Sequence, residues 1–225
     1  MKAIIPAKTG SNRIPNKNFR EFHGGRSLVD ILVEKLLRCL PPQDIFVSSD
    51  DDTKADIASK WGVNFLPRDK YLAQNSTPMN EVVQAVSLQI PGENDIMWCQ
   101  ATEPLFDEYA DCLQAWNELD RTQYDSLAVC YPVKKFMLDQ QQRPIGFGFG
   151  PWHIPSQELP QLYQLNFTLG ILSHRWVKEC GYHVGSRPYW YASRGHCIDI
   201  DDVNDWELAQ IVYERKLRVD SEGDE

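Results

Sequence analysis

Five cations, Lys2, Lys8, Arg13, Lys17 and Arg20, and no acid fall within the first twenty residues of a 225-residue chain whose formal net charge is -9. A basic cluster in an acidic chain is either an anion site or a solvated loop. Charge alone does not choose between them. Ala3-Ile4-Ile5-Pro6-Ala7 is an apolar run, and Lys8-Thr9-Gly10-Ser11-Asn12-Arg13-Ile14-Pro15-Asn16-Lys17-Asn18 is polar, so a buried strand enters a loop. Gly10 lets the backbone approach a ligand, Ser11 and Asn12 offer short hydrogen-bonding side chains, and Lys8, Arg13 and Lys17 supply compensating charge. A polyphosphate suits such a loop. It is not a Walker A loop, which needs Gly, four residues, then Gly-Lys-Ser/Thr. No Gly-x-Gly-x-x-Gly follows the first strand, so a dinucleotide fingerprint is excluded as well.

A second cluster with chemistry lies near the other end, in Cys197-Ile198-Asp199-Ile200-Asp201-Asp202-Val203-Asn204-Asp205-Trp206-Glu207. Read as a strand, it puts Asp199 and Asp201 on one face and Ile198 and Ile200 in the core. Two carboxylates on one face make half of a Mg²⁺ site, because Mg²⁺ takes one or two carboxylates together with phosphate oxygens and water. Asp205 and Glu207, at the start of the following helix, serve its positive end.

The elements that must carry these groups alternate along the chain. A helix capped by Ser27 places Leu28, Ile31, Leu32 and Leu36 on one stripe and stops at Pro41-Pro42. Strands are expected at Ile45 to Ser49, Val63 to Leu66, Asp95 to Cys99 and Ser126 to Val133. Helices are expected to about Trp61, from Pro78 to Leu88 and from Asp111 to Leu119. Such alternation predicts an α/β fold with parallel βαβ units and ligands at the carboxyl ends of the strands. Between Phe136 and Leu165 the regularity fails. Gln140-Gln141-Gln142, the run Gly146-Phe147-Gly148-Phe149-Gly150-Pro151, and prolines at 155 and 160 mark an excursion from the core or a surface loop. The chain returns through a strand between Leu165 and Ser173 that contains Asn166.

Composition bounds the class. With 42% hydrophobic and 24% charged residues the chain is an ordinary globular protein of one core. No stretch reaches the ~20 apolar residues of a membrane span. The few apolar residues before Lys8 are too short a run for a secretory leader, so a cytoplasmic protein is expected. Six cysteines without a Cys-x-x-Cys pair favour reduced thiols over disulfides or zinc. Net acidity argues against nucleic acid as a partner. The five histidines are isolated along the chain and are expected to be structural. The tail Asp220-Ser221-Glu222-Gly223-Asp224-Glu225 reads as a frayed end.

Pro-Ala-Lys-Thr-Gly-Ser-Asn-Arg-Ile-Pro-Asn-Lys-Asn closely resembles the N-terminal signature of the acylneuraminate cytidylyltransferases, the CMP-sialic acid synthetase family, and Asp199-Ile200-Asp201 before a terminal helix is similar to the family's metal motif. The resemblance covers about residues 3 to 215 and is dense only in patches. It implies a three-layer Rossmann-like nucleotidyltransferase fold with a mainly parallel sheet. Magnesium-dependent transfer of CMP from CTP to a sugar hydroxyl is implied too, in a homodimer whose arm, at about 136–165, lines the partner's sugar pocket. The match within that arm is Gln157-Glu158-Leu159-Pro160-Gln161.

Carried over residue by residue, the resemblance implies that Lys8, Arg13 and Lys17 neutralise the triphosphate. Ser11 and Asn18 belong to the same signature, with Asn18 facing ribose or cytosine. Arg68 lies near the base, Gln100 near the sugar, Asn166 with the substrate, and Asp199 and Asp201 hold Mg²⁺. Lys8 stands where the family usually has arginine, Glu103 replaces a serine, and Asn75 replaces an aspartate. No arginine occurs around Gln157 to Gln164, which bears on the choice of sugar. Two alternatives change the activity. One is a glycosyltransferase using Asp199-Ile200-Asp201 as its metal motif, and the other is a noncatalytic nucleotide or sugar sensor.

Overall fold

A computed structural model of the chain describes residues 1–222. In chain order the elements are β1 (Lys2–Pro6), the short pair β2 (Glu21–His23) and β3 (Arg26–Ser27), α1 (Leu28–Leu37), β4 (Ile45–Ser49), α2 (Ala55–Trp61), β5 (Asn64–Pro67) and α3 (Met79–Ser87). There follow β6 (Ile96–Cys99), α4 (Tyr109–Glu118), β7 (Ser126–Val133), β8 (Leu162–Gln164), β9 (Leu169–Leu172), α5 (His174–Cys180), β10 (Pro188–Ala192) and α6 (Val203–Glu222).

The main sheet runs β10-β7-β9-β6-β1-β4-β5, with β8 on β7. Pairing is parallel from β6 through β1 and β4 to β5, and again between β7 and β10. β9 runs antiparallel between β6 and β7. The chain fills one side of β1 with β4 and β5, then crosses to the other side with β6. The crevice at the carboxyl ends of β1 and β6 is therefore the topological switch point, where open α/β sheets take their ligands.

Alternation along the strands sorts the core into two layers. Ala3, Ile5, Val47, Met97, Cys99, Leu127 and Val129 face α1, α4 and α6, where Leu32, Cys112, Trp116, Trp206 and Ala209 cover them. Ile4, Phe46, Ile96 and Trp98 face the other way, against Val82, Val83 and Val86 of α3 and Val177 of α5. Helices on both faces of one mainly parallel sheet make the three-layer α/β architecture expected from the sequence.

Local signals explain the boundaries. Ser27 caps α1 in a capping box, its hydroxyl oxygen accepting from the Asp30 amide while Asp30 accepts from the Ser27 amide. Gly62 ends α2 in the left-handed region, at φ 66°. All six cysteines are free thiols. No helix among the described residues is long and apolar enough to cross a membrane.

Three expectations need amendment. Cys197 to Asp201 is extended but joins no strand ladder; it is fixed instead by the Ile200 amide donating to the Thr102 carbonyl at 2.9 Å. The parity survives, with Ile200 buried, Asp199 half-buried and Asp201 exposed. α5 and β10 have no counterpart in the sequence reading. α6 continues to Glu222, and the last acidic residues, 223–225, lie outside the described residues.

Residues 136–165 form the irregular excursion. It contains one turn of 3-10 helix at Ser156–Glu158, the short β8, and an aromatic cluster in which Phe136 packs edge-on against Phe147 and stacks with His153. Phe149, Trp152 and Tyr163 remain exposed, Trp152 at 72%.

Candidate active site

Each strand of the parallel block delivers one functional group to the switch-point edge. β1 runs into Lys8 and the basic loop, β4 into Asp50, β5 into Arg68, and β6 into Gln100 and Thr102. Between them lies a cleft of about 260 Å³ lined by Lys8, Lys17, Asn18, Arg68, Asn75, Trp98, Gln100 and Thr102, with Met79 and Val82 of α3 on its apolar wall. Five of the residues singled out from the sequence, Lys8, Lys17, Asn18, Arg68 and Gln100, thus line one cavity.

The cleft is built for an anion. Arg68 is 7% exposed, and its Nε and Nη2 have no hydrogen-bond partner. Burial pulls its pKa down, with Asp50 opposing. Burial likewise lowers the pKa of Lys8; Arg68 adds to the effect and Asp50 opposes it. Two desolvated cations that repel one another call for a negative ligand between them. Lys8 Nζ donates to Asn75 Oδ1, a neutral partner that leaves the ammonium charge uncompensated.

The loop is held in shape by its own residues. Ile14, 1% exposed, anchors it in the core. Asn18 Nδ2 donates to the Lys8 carbonyl at 3.0 Å, so this side chain braces the loop as well as lining the cleft. Asn16 takes φ 57°, a left-handed turn that asparagine tolerates. A Cβ added at Gly10 would meet nothing within 4 Å, so the backbone there lies open to a ligand. Ser11 is half-buried in the loop and does not line the cleft.

The basic loop and the carboxylate pair, nearly two hundred residues apart, meet. Arg13 Nη2 donates to Asp201 Oδ1 at 2.7 Å, and Lys17 Nζ donates to the Ile200 carbonyl. Burial lowers the Lys17 pKa, while Asp199 and Asp201 oppose it. Burial raises the pKa of Asp199; the Thr102 hydroxyl, hydrogen-bonded to it, opposes this, and Asp201 adds to it. Asp199 and Asp201 offer carboxylate oxygens and no thiolate, a pair that would suit a hard divalent cation completing its shell from phosphate and water. Among the described residues no group of three or more His, Cys, Asp or Glu forms a metal cluster. Asp205 stays out of this pair: Asp202 caps α6, its Oδ1 accepting from the amides of Asn204 and Asp205, and Asp205 Oδ2 accepts in return from the amides of Asp201 and Asp202.

Asn166 is already engaged. Its Nδ2 donates to Glu103 Oε1 at 2.6 Å and to Cys197 Sγ, and its Oδ1 accepts from Gln164. It lies in the loop between β8 and β9, outside the strand expected to contain it, ties that loop to Glu103 and to Cys197 in the segment bearing Asp199, and does not line the cleft. Glu103, 2% exposed, is the centre of that bridge; burial lifts its carboxyl to about 7, with the Asn166 hydrogen bond opposing. Asp50 and Trp98 also escaped the sequence reading. Asp50 was one of three consecutive aspartates, and Trp98 was one apolar residue of a strand.

A cation-lined cleft at the switch point of a three-layer α/β sheet, facing a carboxylate pair, is the site of a nucleotidyltransferase. The sequence profile of the family described as cytidylyltransferase matches residues 2–141, and the chain belongs to that family. It is 30% identical to the pseudaminic acid cytidylyltransferase of Campylobacter jejuni over 93% of this chain and 94% of that protein. With the CMP-N,N'-diacetyllegionaminic acid synthase of Legionella pneumophila it shares 24% identity over 94% of this chain and 95% of that one. The fold matches a CMP:2-keto-3-deoxy-manno-octonic acid synthetase complexed with CTP, with TM-score 0.68 and 14% identity over 96% and 98% of the two chains. The protein is therefore a cytidylyltransferase, and the glycosyltransferase and sensor alternatives fall away.

Proposed function

We propose that the protein transfers CMP from CTP to a hydroxyl of a nine-carbon, sialic-acid-like keto sugar acid, uses Mg²⁺, and works as a homodimer. The observation that carries the chemistry is the meeting of the basic loop with the carboxylate pair, through Arg13 with Asp201 and Lys17 with the Ile200 carbonyl. The choice of sugar rests on the names of the relatives matched along nearly the whole chain.

In this reading the sugar oxygen bonds to the α-phosphorus of CTP, the bond from that phosphorus to the bridging oxygen breaks, pyrophosphate leaves, and the hydroxyl proton is released. Lys8 and Lys17 neutralise the triphosphate from one side, and Arg68 meets the nucleotide from the floor of the cleft. Gln100, at the carboxyl end of β6, is in place for the acceptor. Asp199 and Asp201 would hold Mg²⁺, whose chemistry when bound is to neutralise phosphate oxygens and polarise the α-phosphate. Positioning and charge neutralisation are the main demands of phosphoryl transfer, so no covalent nucleophile is required. The exposed aromatics of residues 136–165 support an arm that packs on a second copy.

Pyrophosphate release tests this, with four nucleoside triphosphates against a panel of nine-carbon and eight-carbon sugar acids. Release with CTP and a nine-carbon acid is expected, and Asp201→Ala should abolish it while leaving the fold intact. Release that survives Asp201→Ala removes the metal assignment; no release with any sugar acid removes the acceptor.

A further inference from the structure

Thr9 lies between Lys8 and Gly10, at the turn where the basic loop leaves β1. Its amide donates to Asp50 Oδ1 at 2.8 Å and its hydroxyl donates to Asp50 Oδ2 at 2.9 Å. Both oxygens of one carboxylate, at the end of the neighbouring strand, thus grip a single loop residue. On the other flank Asn18 holds the Lys8 carbonyl at 3.0 Å. The two contacts clamp the backbone on either side of the Lys8 side chain, whose ammonium lines the cleft with Arg68.

We propose that Asp50 is a positioning residue for the triphosphate: by holding Thr9 through both carboxylate oxygens, it fixes Lys8 and the loop amides where the phosphates of CTP bind. The inference rests on the reading of the cleft as the CTP site. It opposes the simplest electrostatic expectation. A carboxylate near an anion site repels the ligand, so on charge alone its removal tightens CTP binding. If Asp50 acts by position, its removal weakens CTP binding, because the loop must then be ordered at the expense of binding free energy. The sign of the change separates the two effects.

Calorimetric titration of CTP and of cytidine into the wild type and into Asp50→Ala, Thr9→Val and Thr9→Ser decides it, with the thermal midpoint of each variant measured alongside. Asp50→Ala and Thr9→Val are each expected to weaken CTP binding by about tenfold, as the loss of hydrogen bonds to a charged group would. Cytidine affinity should change by less than about twofold and Thr9→Ser should keep the wild-type affinity for CTP, because neither depends on a displaced phosphate turn. Unchanged or tighter CTP binding in Asp50→Ala overturns the inference, as does an equal loss for CTP and cytidine. If Asp50→Ala does not fold, Thr9→Val carries the same two outcomes. A wild type that binds no CTP overturns the reading of the cleft and this inference with it, whereas a wild type that binds CTP confines any failure to Asp50.

Discussion

Arg68 sits in the molecule at a cost that only the nearby Asp50 charge offsets, and in part: a guanidinium 7% exposed, with two nitrogens unpartnered. Replacing an unpaired buried charge with an apolar group of similar length stabilises a fold. Arg68→Met is therefore expected to raise the melting midpoint by about 2–4 °C, the shift that 1 kcal/mol gives at this size, while CTP affinity falls at least tenfold. Thermal denaturation and CTP titration on one preparation check both, and a variant that loses stability would mean the guanidinium has a partner in the protein. Lys8 gives a pH signature. Burial, with Arg68 beside it, lowers its pKa, so as pH rises the ammonium is lost before that of an exposed lysine. CTP affinity should fall on the alkaline side from below the usual lysine range, and Lys8→Arg should remove that part of the fall, measured from about pH 7 to about pH 10. Arg68 was named only through the resemblance, whereas Lys8 was legible because the loop concentrates charge within one stretch of sequence. Asp50 and Glu103 were not, since nothing local separates a clamp from its acidic neighbours, or a buried carboxylate from an exposed one. Asn166 was placed with the substrate by resemblance, and its three hydrogen bonds give it a bracing role instead.

The first helix depends on Asp30, which accepts from the Ser27 amide at 2.9 Å, Lys60 at 2.7 Å and Trp61 at 2.8 Å. Burial alone would raise this carboxyl, but the hydrogen bonds from Lys60, Ser27 and Trp61 outweigh it and bring it down to about 2. A carboxyl whose pKa is lower folded than unfolded adds stability above its unfolded value and loses it as pH falls through the folded one. Asp30→Asn is expected to cost about 2 kcal/mol at neutral pH, with the difference from wild type closing between about pH 4 and pH 2. Urea denaturation across that range measures it, and a pH-independent difference would place the cost in packing. Apart from the short pair β2 and β3, the strands and helices up to β7 could be read from hydrophobic period and capping residues, which are local signals. The antiparallel β9 wedged between β6 and β7 could not, because strand order is decided by packing between distant segments. α5 and β10 were missed although they are no shorter than α2 and β4; β10 buries no alternate face that a period could mark. The run from Cys197 to Asp201 had the alternation of a strand yet pairs with none: its Ile200 amide donates to the Thr102 carbonyl beyond β6, and both sides of β6 are already taken by β1 and β9.

At the level of the molecule, the excursion at residues 136–165 presents Phe149, Trp152 and Tyr163 to solvent, beside Trp190 on the last strand of the sheet. An apolar surface of that kind is characteristic of an interface. Trp152→Asp is expected to shift a dimer toward monomer in sedimentation velocity while CTP affinity stays within about twofold of wild type, because the arm does not line the nucleotide cleft. A chain that is monomeric to begin with, or a variant that stays dimeric, would remove the arm from the interface. The arm was legible as an interruption, from its glycines and prolines, whereas its aromatic packing was not. The ties from Arg13 to Asp201 and from Lys17 to the Ile200 carbonyl span 188 and 183 residues of sequence. On the ribosome the basic loop is therefore made well before its acidic counterpart. A polypeptide released before Asp199 carries every cation of the loop and neither carboxylate opposite it, so only a chain translated past Asp201 can assemble both halves of the site.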